Sequence, residues 1–298
     1  MEFDDQYEIR EVEFSVHAGQ AERLFVRGKN AENDRYFDNQ ARENHIYGVN
    51  NALNQLLGDA AVLIELGGFT QTAEYFMRFG VLRRLRLMIA AFRNLQSIIM
   101  PDRKVPLTME QSDEVCRDLN ALYVNILGLL DNYAWTIVHQ AGSPSTQAAK
   151  PLAISIFKRA FAADPALSSV ALTLAPFSTW ETEVKKRRNP AAHRMPLYVP
   201  PAGYEPEAVE ALRDIDQLIS TALREQDFEK MRDLQKKRER IGIFIPIFAH
   251  DPGEEINEIY PTLPQDLGQM VKIGRIAQTF LRSHLLSADP CTAGSAAT

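Results

Sequence analysis

Between residues 35 and 66, apolar side chains recur at Ile46, Val49, Leu53, Leu56, Leu57, Ala60, Leu63 and Ile64, the three-and-four spacing of an amphipathic helix. Gly67 and Gly68 then stop it. A second helix is predicted from about Thr70 to Ile99, with Ala73, Phe76, Leu82, Leu85, Ile89, Phe92 and Ile99 inward and its arginines mostly outward, closed by Pro101. Thr108 and Gln111 have the spacing of a capping box for a third helix reaching about Gln140. After these, Ala141 to Pro151 is rich in small residues and turn formers and reads as a loop or linker. Two shorter helices are predicted at Leu152 to Ala163 and around Pro176 to Lys186, and the prolines at 196, 200 and 201 make the following stretch extended. A polar helix from about Glu205 to Arg240, broken near Glu225 to Asp227, leads to the apolar, β-favouring run Ile241 to Asp251. Pro246 limits that run to an edge strand or extended segment, placed beside the Pro-Leu-Tyr-Val of 196–199. A last helix is predicted from about Pro264 to Leu286, ahead of a small-residue tail over 287–298 expected to be disordered. Val12, Phe14 and Val16 alternate as in a strand but have no turn-linked partner, so residues 1–34 stay unassigned. The fold class is mainly α, with a small β or extended addition.

Composition narrows the function classes. At 298 residues with 45% hydrophobic and 24% charged, the chain can bury a sizeable core and has the make-up of a soluble globular protein. Its formal charge of -6 argues against a broad basic surface, so any nucleic-acid contact must be local. Cys116 and Cys291 lack metal-ligand spacing and read as free thiols. The acidic start MEFDDQYEIR is unlike a signal peptide, and the most membrane-like window, Val81 to Ile99, carries Arg83, Arg84, Arg86 and Arg93. Both features point to a cytoplasmic protein with no membrane partner.

Against that acidic background, Lys185, Lys186, Arg187, Arg188 and Arg194 crowd around His193 in KKRRNPAAHR. The stretch reads either as a solvated helix end with a turn or as a site for phosphate. Asn189 followed by Pro190 fits an N-cap and first helical residue, which would put the free N–H groups of a helix start beside Arg188. A histidine can move protons near neutral pH, and an arginine can hold a phosphate. Metal-free RNA cleavage needs both. The spacing alone is weak, since Arg10 and His17 also satisfy it. Asp131 interrupts an apolar stripe of the third helix, so it either needs a cationic partner such as Arg188 or His193, or lies at the edge of the interface.

Other candidates have bland readings. His250 and Asp251 could form a metal or catalytic dyad, but no third ligand accompanies them and a structural role is favoured. His45 and His139 fit buried, hydrogen-bonded positions in helices, and Tyr133 and Trp135 fit core better than a base-stacking platform. The second helix's arginines either solvate its outer face, the favoured reading, or widen an RNA groove. No Walker loop, dinucleotide fingerprint, zinc signature or Ser/Cys nucleophile motif is present, so no cofactor or metal is expected.

Asp131-Asn132-Tyr133-Ala134-Trp135 on a long helix, followed by Arg188-Asn189-Pro190-Ala191-Ala192-His193 and RMPLYVPP, resembles the HEPN superfamily of helical domains. More narrowly it is similar to bacterial HEPN proteins of the group named for a Clostridium thermocellum hypothetical protein. The resemblance is clearest over 114–201 and absent from 1–35. It implies a HEPN-like helical bundle over 35–286. It also implies a metal-independent endoribonuclease, active as a homodimer with a composite cleft, in phage defence, toxin-antitoxin or stress systems, with an antitoxin or regulatory protein as a further partner. His193 becomes the proton-transfer group, Arg188 the phosphate and transition-state stabiliser, Asn189 an orienting residue and Asp131 a supporting one. Lys185, Lys186, Arg187 and Arg194 are the expected RNA contacts, and the products would be a 2',3'-cyclic phosphate and a 5'-hydroxyl. The family also includes members that bind nucleotide or RNA without cutting.

Overall fold

The computed structural model describes residues 48–100, 103–251 and 256–287. The expected strand at 12–16, the first helix's start, His45 and Cys291 lie outside these residues. The described chain is mainly helical, with one small two-stranded sheet. Helix α1 (Asn50–Leu66) buries Leu53, Leu56, Ala60, Leu63 and Ile64 as its spacing predicts. It ends at Gly67, whose φ of 73° lies in the left-handed region that glycine enters without steric cost. Helix α2 spans 71–98 and is capped by the Thr70 hydroxyl, which accepts from the Ala73 N–H. Its α-helical parts Gln71–Phe76 and Leu82–Ile98 are joined by a π-helical turn, Met77–Val81.

Helix α3 (Met109–Ala141) begins with the predicted capping box, Thr108 and Gln111 each closing on the other's backbone N–H. It is the central element, packing against α2, against α10 (Ile259–Ser287) and against α7 (Ser178–His193), and most of its length is buried. Fully buried Tyr133 of α3 is held by Gln278 of α10, whose amide donates to the tyrosine hydroxyl at 2.7 Å and to the Leu56 carbonyl at 2.9 Å. One side chain thereby ties α10 to α3 and α1 at a point where unmet polar groups would be costly.

The segment between α3 and α7 is more broken than the predicted pair of short helices. It holds one-turn helices α4 (Pro144–Gln147) and α5 (Arg159–Ala162), then α6 (Ser168–Leu174), with 3-10 turns between them. Pro144, Pro151, Pro165 and Pro176 each sit at the start of a turn or helix, where their missing N–H is unneeded and where they prevent longer helices. Beyond α7 the chain is extended and pinned to the first half of α3. Asn120 brackets Leu197, accepting from its N–H at 2.8 Å and donating to its carbonyl at 2.9 Å, and Ser112 donates to the Val199 carbonyl at 2.9 Å. Antiparallel bridges Tyr198 to Ala249 and Gly203 to Ile243 pair this strip with the apolar run, as its sequence predicts. That run continues into β1 (Ile247–Phe248), antiparallel to β2 (Asn257–Glu258).

Helices α8 (Pro206–Arg224) and α9 (Phe228–Arg238) form a hairpin whose break at 225–227 matches the sequence reading. Ile215, Ala222 and Leu234 make a small core of their own, separate from the main one. No helix among the described residues is long and apolar enough to cross a membrane. The last helix reaches Ser287, one residue past its predicted end; 288–298 lie outside the described residues.

Candidate functional site

Helix α7 carries the cationic run, and its buried stripe is set by Trp180, Val184, Arg187 and Ala191, each three or four residues from the last. The expected helix start at Asn189 is overturned. Both Asn189 and Pro190 lie inside α7, which ends at His193, with the Arg194 N–H bonding the Pro190 carbonyl at 2.8 Å. Packing outweighs the local N-cap signal here. Pro190 forfeits one N–H near the helix end, while Ala191 extends the stripe buried on the core. The motif therefore occupies a helix C-terminus, with carbonyls and partial negative charge, and the helix-start anion site is withdrawn.

The cations of the run separate. Arg187, expected among the RNA contacts, turns inward: its side chain is 14% exposed and its Nη2 meets Asp266 Oδ1 at 2.9 Å. Asp266 is itself 4% exposed and also accepts from Trp180 Nε1 and the Tyr123 hydroxyl, each at 2.9 Å. Burial pushes the Asp266 carboxyl above its ordinary range, against the pull of Arg187 and the two other donors, and drives the Tyr123 phenol well up. This is a structural clamp joining α7, α3 and α10, and its buried carboxylate excludes Arg187 from substrate contact. Lys185 pairs with Glu181, and Lys186 donates to Glu183 at 2.8 Å, so both are partly neutralised on their own helix. Arg194 is exposed.

Arg188 occupies the next position around the helix and faces another carboxylate. Its guanidinium, together with Lys158 and Arg84, acts on Asp131 of α3, which also takes a hydrogen bond from Ser155. Solvent reaches Asp131, so the interface-edge reading of that residue holds, although surrounding protein still raises its pKa. Its accessibility limits that shift. Arg84 enters from α2, donating from Nε to Asn132 Oδ1 at 2.7 Å and from Nη1 to Asn125 Oδ1 at 3.0 Å. Burial lowers its pKa, and Arg188 lowers it further against the opposing pull of Asp131. A β-carbon at Gly128 would run into this guanidinium, and one at Gly80 into Asn132, so two helical glycines make room for the arginine. Among the described residues no carboxylate comes within ion-pair distance of Arg84 or Arg188. Among the described residues Arg188 Nη1 reaches only Asn189 Oδ1, at 3.3 Å, and its buried Nε, like that of Arg187, has no acceptor.

Helical register puts positions 188 and 193 about 140° apart and positions 189 and 193 about 40° apart. Arg188 thus belongs with Asp131, Arg84 and Lys158, while Asn189 shares the sector of position 193. Reasoning from sequence missed Lys158 and Ser155, and for Arg84 it favoured a solvated outer face over a groove-lining role. The available signal was an arginine at the edge of α2's buried stripe, together with glycines inside α2 and α3, where a helical glycine often marks a close approach. His250 is a lesser feature: Nδ1 lies 3.0 Å from the Met195 carbonyl, and among the described residues no three His, Cys, Asp or Glu side chains gather to hold a metal.

Comparison with protein-family models, with curated proteins and with solved structures yields no match.

Proposed function

We propose that this chain is a metal-independent endoribonuclease of the HEPN type, working as a homodimer in which Arg188 holds the scissile phosphate and His193 transfers the proton. One observation carries the reading: the Arg188 and Arg84 guanidiniums repel each other beside solvent-reached Asp131, which attracts both, and among the described residues no carboxylate is in ion-pair contact with either, in a chain of net charge -6. Like charges held together cost free energy, and an anion seated between them relieves it. In the reaction, histidine removes the 2'-hydroxyl proton and that oxygen attacks phosphorus. Arg188 stabilises the charge growing on the phosphorane. The 5'-oxygen leaves with a proton, giving a 2',3'-cyclic phosphate. Because positions 188 and 193 lie on different sectors of α7, the histidine facing each arginine would come from the second copy across a two-fold axis. That same register favours a second reading, an RNA- or nucleotide-binding module without cleavage.

Purified protein incubated with mixed RNA in EDTA, beside the Arg188→Ala and His193→Ala variants, separates these readings. The nuclease reading expects cyclic-phosphate ends from wild type and at least a hundredfold loss in each variant. Cleavage that persists unchanged in His193→Ala removes the assigned proton transfer. RNA retention without cleavage, weakened in Arg188→Ala, selects the binding module.

A further inference from the structure

Next to the cation cluster, α2 and α3 bring aromatic rings together at the surface. Phe76, Trp135 and His139 have ring centroids 5.1, 5.3 and 5.9 Å apart, and their planes lie within 22° of parallel. In a face-to-face column the outer pair would be about twice as far apart as neighbours, so near-equal separations describe an offset terrace. All three rings are part-exposed. Tyr75 lies 5.6 Å from Phe76 and 5.2 Å from Phe79, and the Arg83 guanidinium sits 4.7 Å from the Phe79 ring centre. Tyr75 and Phe79 are 57% and 48% exposed, an expensive placement for rings that serve only packing. Phe79 is carried by the π-helical turn, a distortion frequent at functional sites.

Charge narrows what such a surface can take. Helix α2 carries Arg78, Arg83, Arg84, Arg86 and Arg93 against a single acid, Glu74, which is occupied by Arg78 at 2.6 Å. Burial holds the His139 imidazole below its ordinary range, which favours the uncharged ring. Asp131, Trp135 and His139 follow one another at four-residue spacing on α3, so the terrace starts about 6 Å along the helix from the carboxylate around which Arg188, Arg84 and Lys158 gather. Flat apolar faces bordered by cations suit a polyanion whose bases are free to stack, whereas a duplex hides its base faces.

We propose that this surface binds unpaired RNA, with bases stacking on Phe76, Trp135, His139 and the Tyr75–Phe79 pair while Arg83, Arg84 and Arg188 take the backbone phosphates. The choice of RNA as the polyanion rests on the ribonuclease reading; the stacking geometry does not. The site selects single strands over duplexes without needing a base sequence.

The chain's two tryptophans allow a direct test, because Trp180 is engaged with Asp266. In a His193→Ala, Trp180→Phe protein, Trp135 is the only indole, and a 12-nucleotide single-stranded RNA is expected to quench its fluorescence, with the matching duplex binding at least fivefold more weakly. Tyr75→Ala and Phe79→Ala replace exposed side chains and are expected to weaken single-strand binding about tenfold or more each, with melting unchanged. Equal affinity in these variants together with unquenched Trp135 overturns the platform, even if wild type cleaves RNA. Quenching with no cleavage by wild type leaves the platform standing and removes only the nuclease reading. Two further results overturn it: duplex bound as well as single strand, or a fluorescence change that follows protein concentration alone, which would mark a face for a second copy.

Discussion

Two aspartates face neighbouring arginines of the same helix and do opposite things. Asp266 meets Arg187 with its carboxylate buried and three donors at 2.9 Å. Asp131 lies near Arg188 with solvent on one side and no ion-pair contact among the described residues. Burial raises the pKa of both. A step of one residue, about 100° around α7, divides an arginine in ion-pair contact with a buried carboxylate from one with no such contact among the described residues. Where a buried carboxylate takes three donors the cluster specifies structure, although the Arg187 Nε finds no acceptor among the described residues. Where Arg188, Arg84 and Lys158 act on one solvent-reached carboxylate without an ion-pair contact among the described residues, the arrangement leaves room for an anion.

Deleting the buried carboxylate gives the largest expected effect. Asp266→Ala strands Arg187 together with the Trp180 and Tyr123 donors, and should cost about 3–5 kcal/mol of unfolding free energy in denaturant titration. Arg188→Ala should cost less than about 1 kcal/mol, as for a part-exposed charge without an ion pair among the described residues. Comparable losses would erase the division between clamp and site. The next effect is in pH. Because the native state holds the Asp266 proton more tightly than the unfolded chain does, it binds more protons between the two pKa values. Its contribution is greatest below the unfolded carboxylate pKa and is lost as pH rises through the raised native one. Asp266→Asn should therefore flatten the fall in stability with rising pH across the window just above the ordinary aspartate range, relative to wild type.

The bounds of α2, the capping box of α3 and the break at 225–227 were legible in the sequence because each depends on local chemistry, and the pairing of 196–199 with the apolar run followed from two proline-limited extended segments. The end of α7 was not. Asn189-Pro190 reads correctly as a helix start on local rules, and only the long-range burial of Arg187 against α3 and α10, with Ala191 part-buried on the core, carries the helix past it. The candidate site divides the same way. Asp131 stood out by breaking an apolar stripe, whereas Arg84 could not be told from its outward neighbours until Gly80 and Gly128 were seen to accommodate it. Arg187 and Arg188 are identical in type and adjacent, so only the fold distinguishes their roles.

Gly128→Ala sharpens the contrast with a smaller effect. The new methyl displaces the Arg84 guanidinium and costs its two amide hydrogen bonds, while replacing a mid-helix glycine gains about 1 kcal/mol. Stability should stay within about 1 kcal/mol of wild type. RNA affinity should fall several-fold, because one of the two paired cations has moved. An unchanged affinity would take Arg84 out of the site.

Asp131→Asn should have the smallest effect and the most informative sign. As a solvent-reached carboxylate, Asp131 is worth about 1 kcal/mol or less to each cation at contact distance. Removing its charge leaves Arg188, Arg84 and Lys158 wholly available to phosphate. RNA should bind a few-fold more tightly at low salt, and the gain should shrink as the Debye length falls to about 8 Å at 0.15 M. The asparagine still accepts from Ser155, so the fold should be unaffected. If Asp131 instead organised the cations as Asp266 organises its donors, the same substitution would weaken binding and lower the melting temperature together. The direction of the affinity change therefore distinguishes a carboxylate that competes with phosphate from one that holds the site in shape.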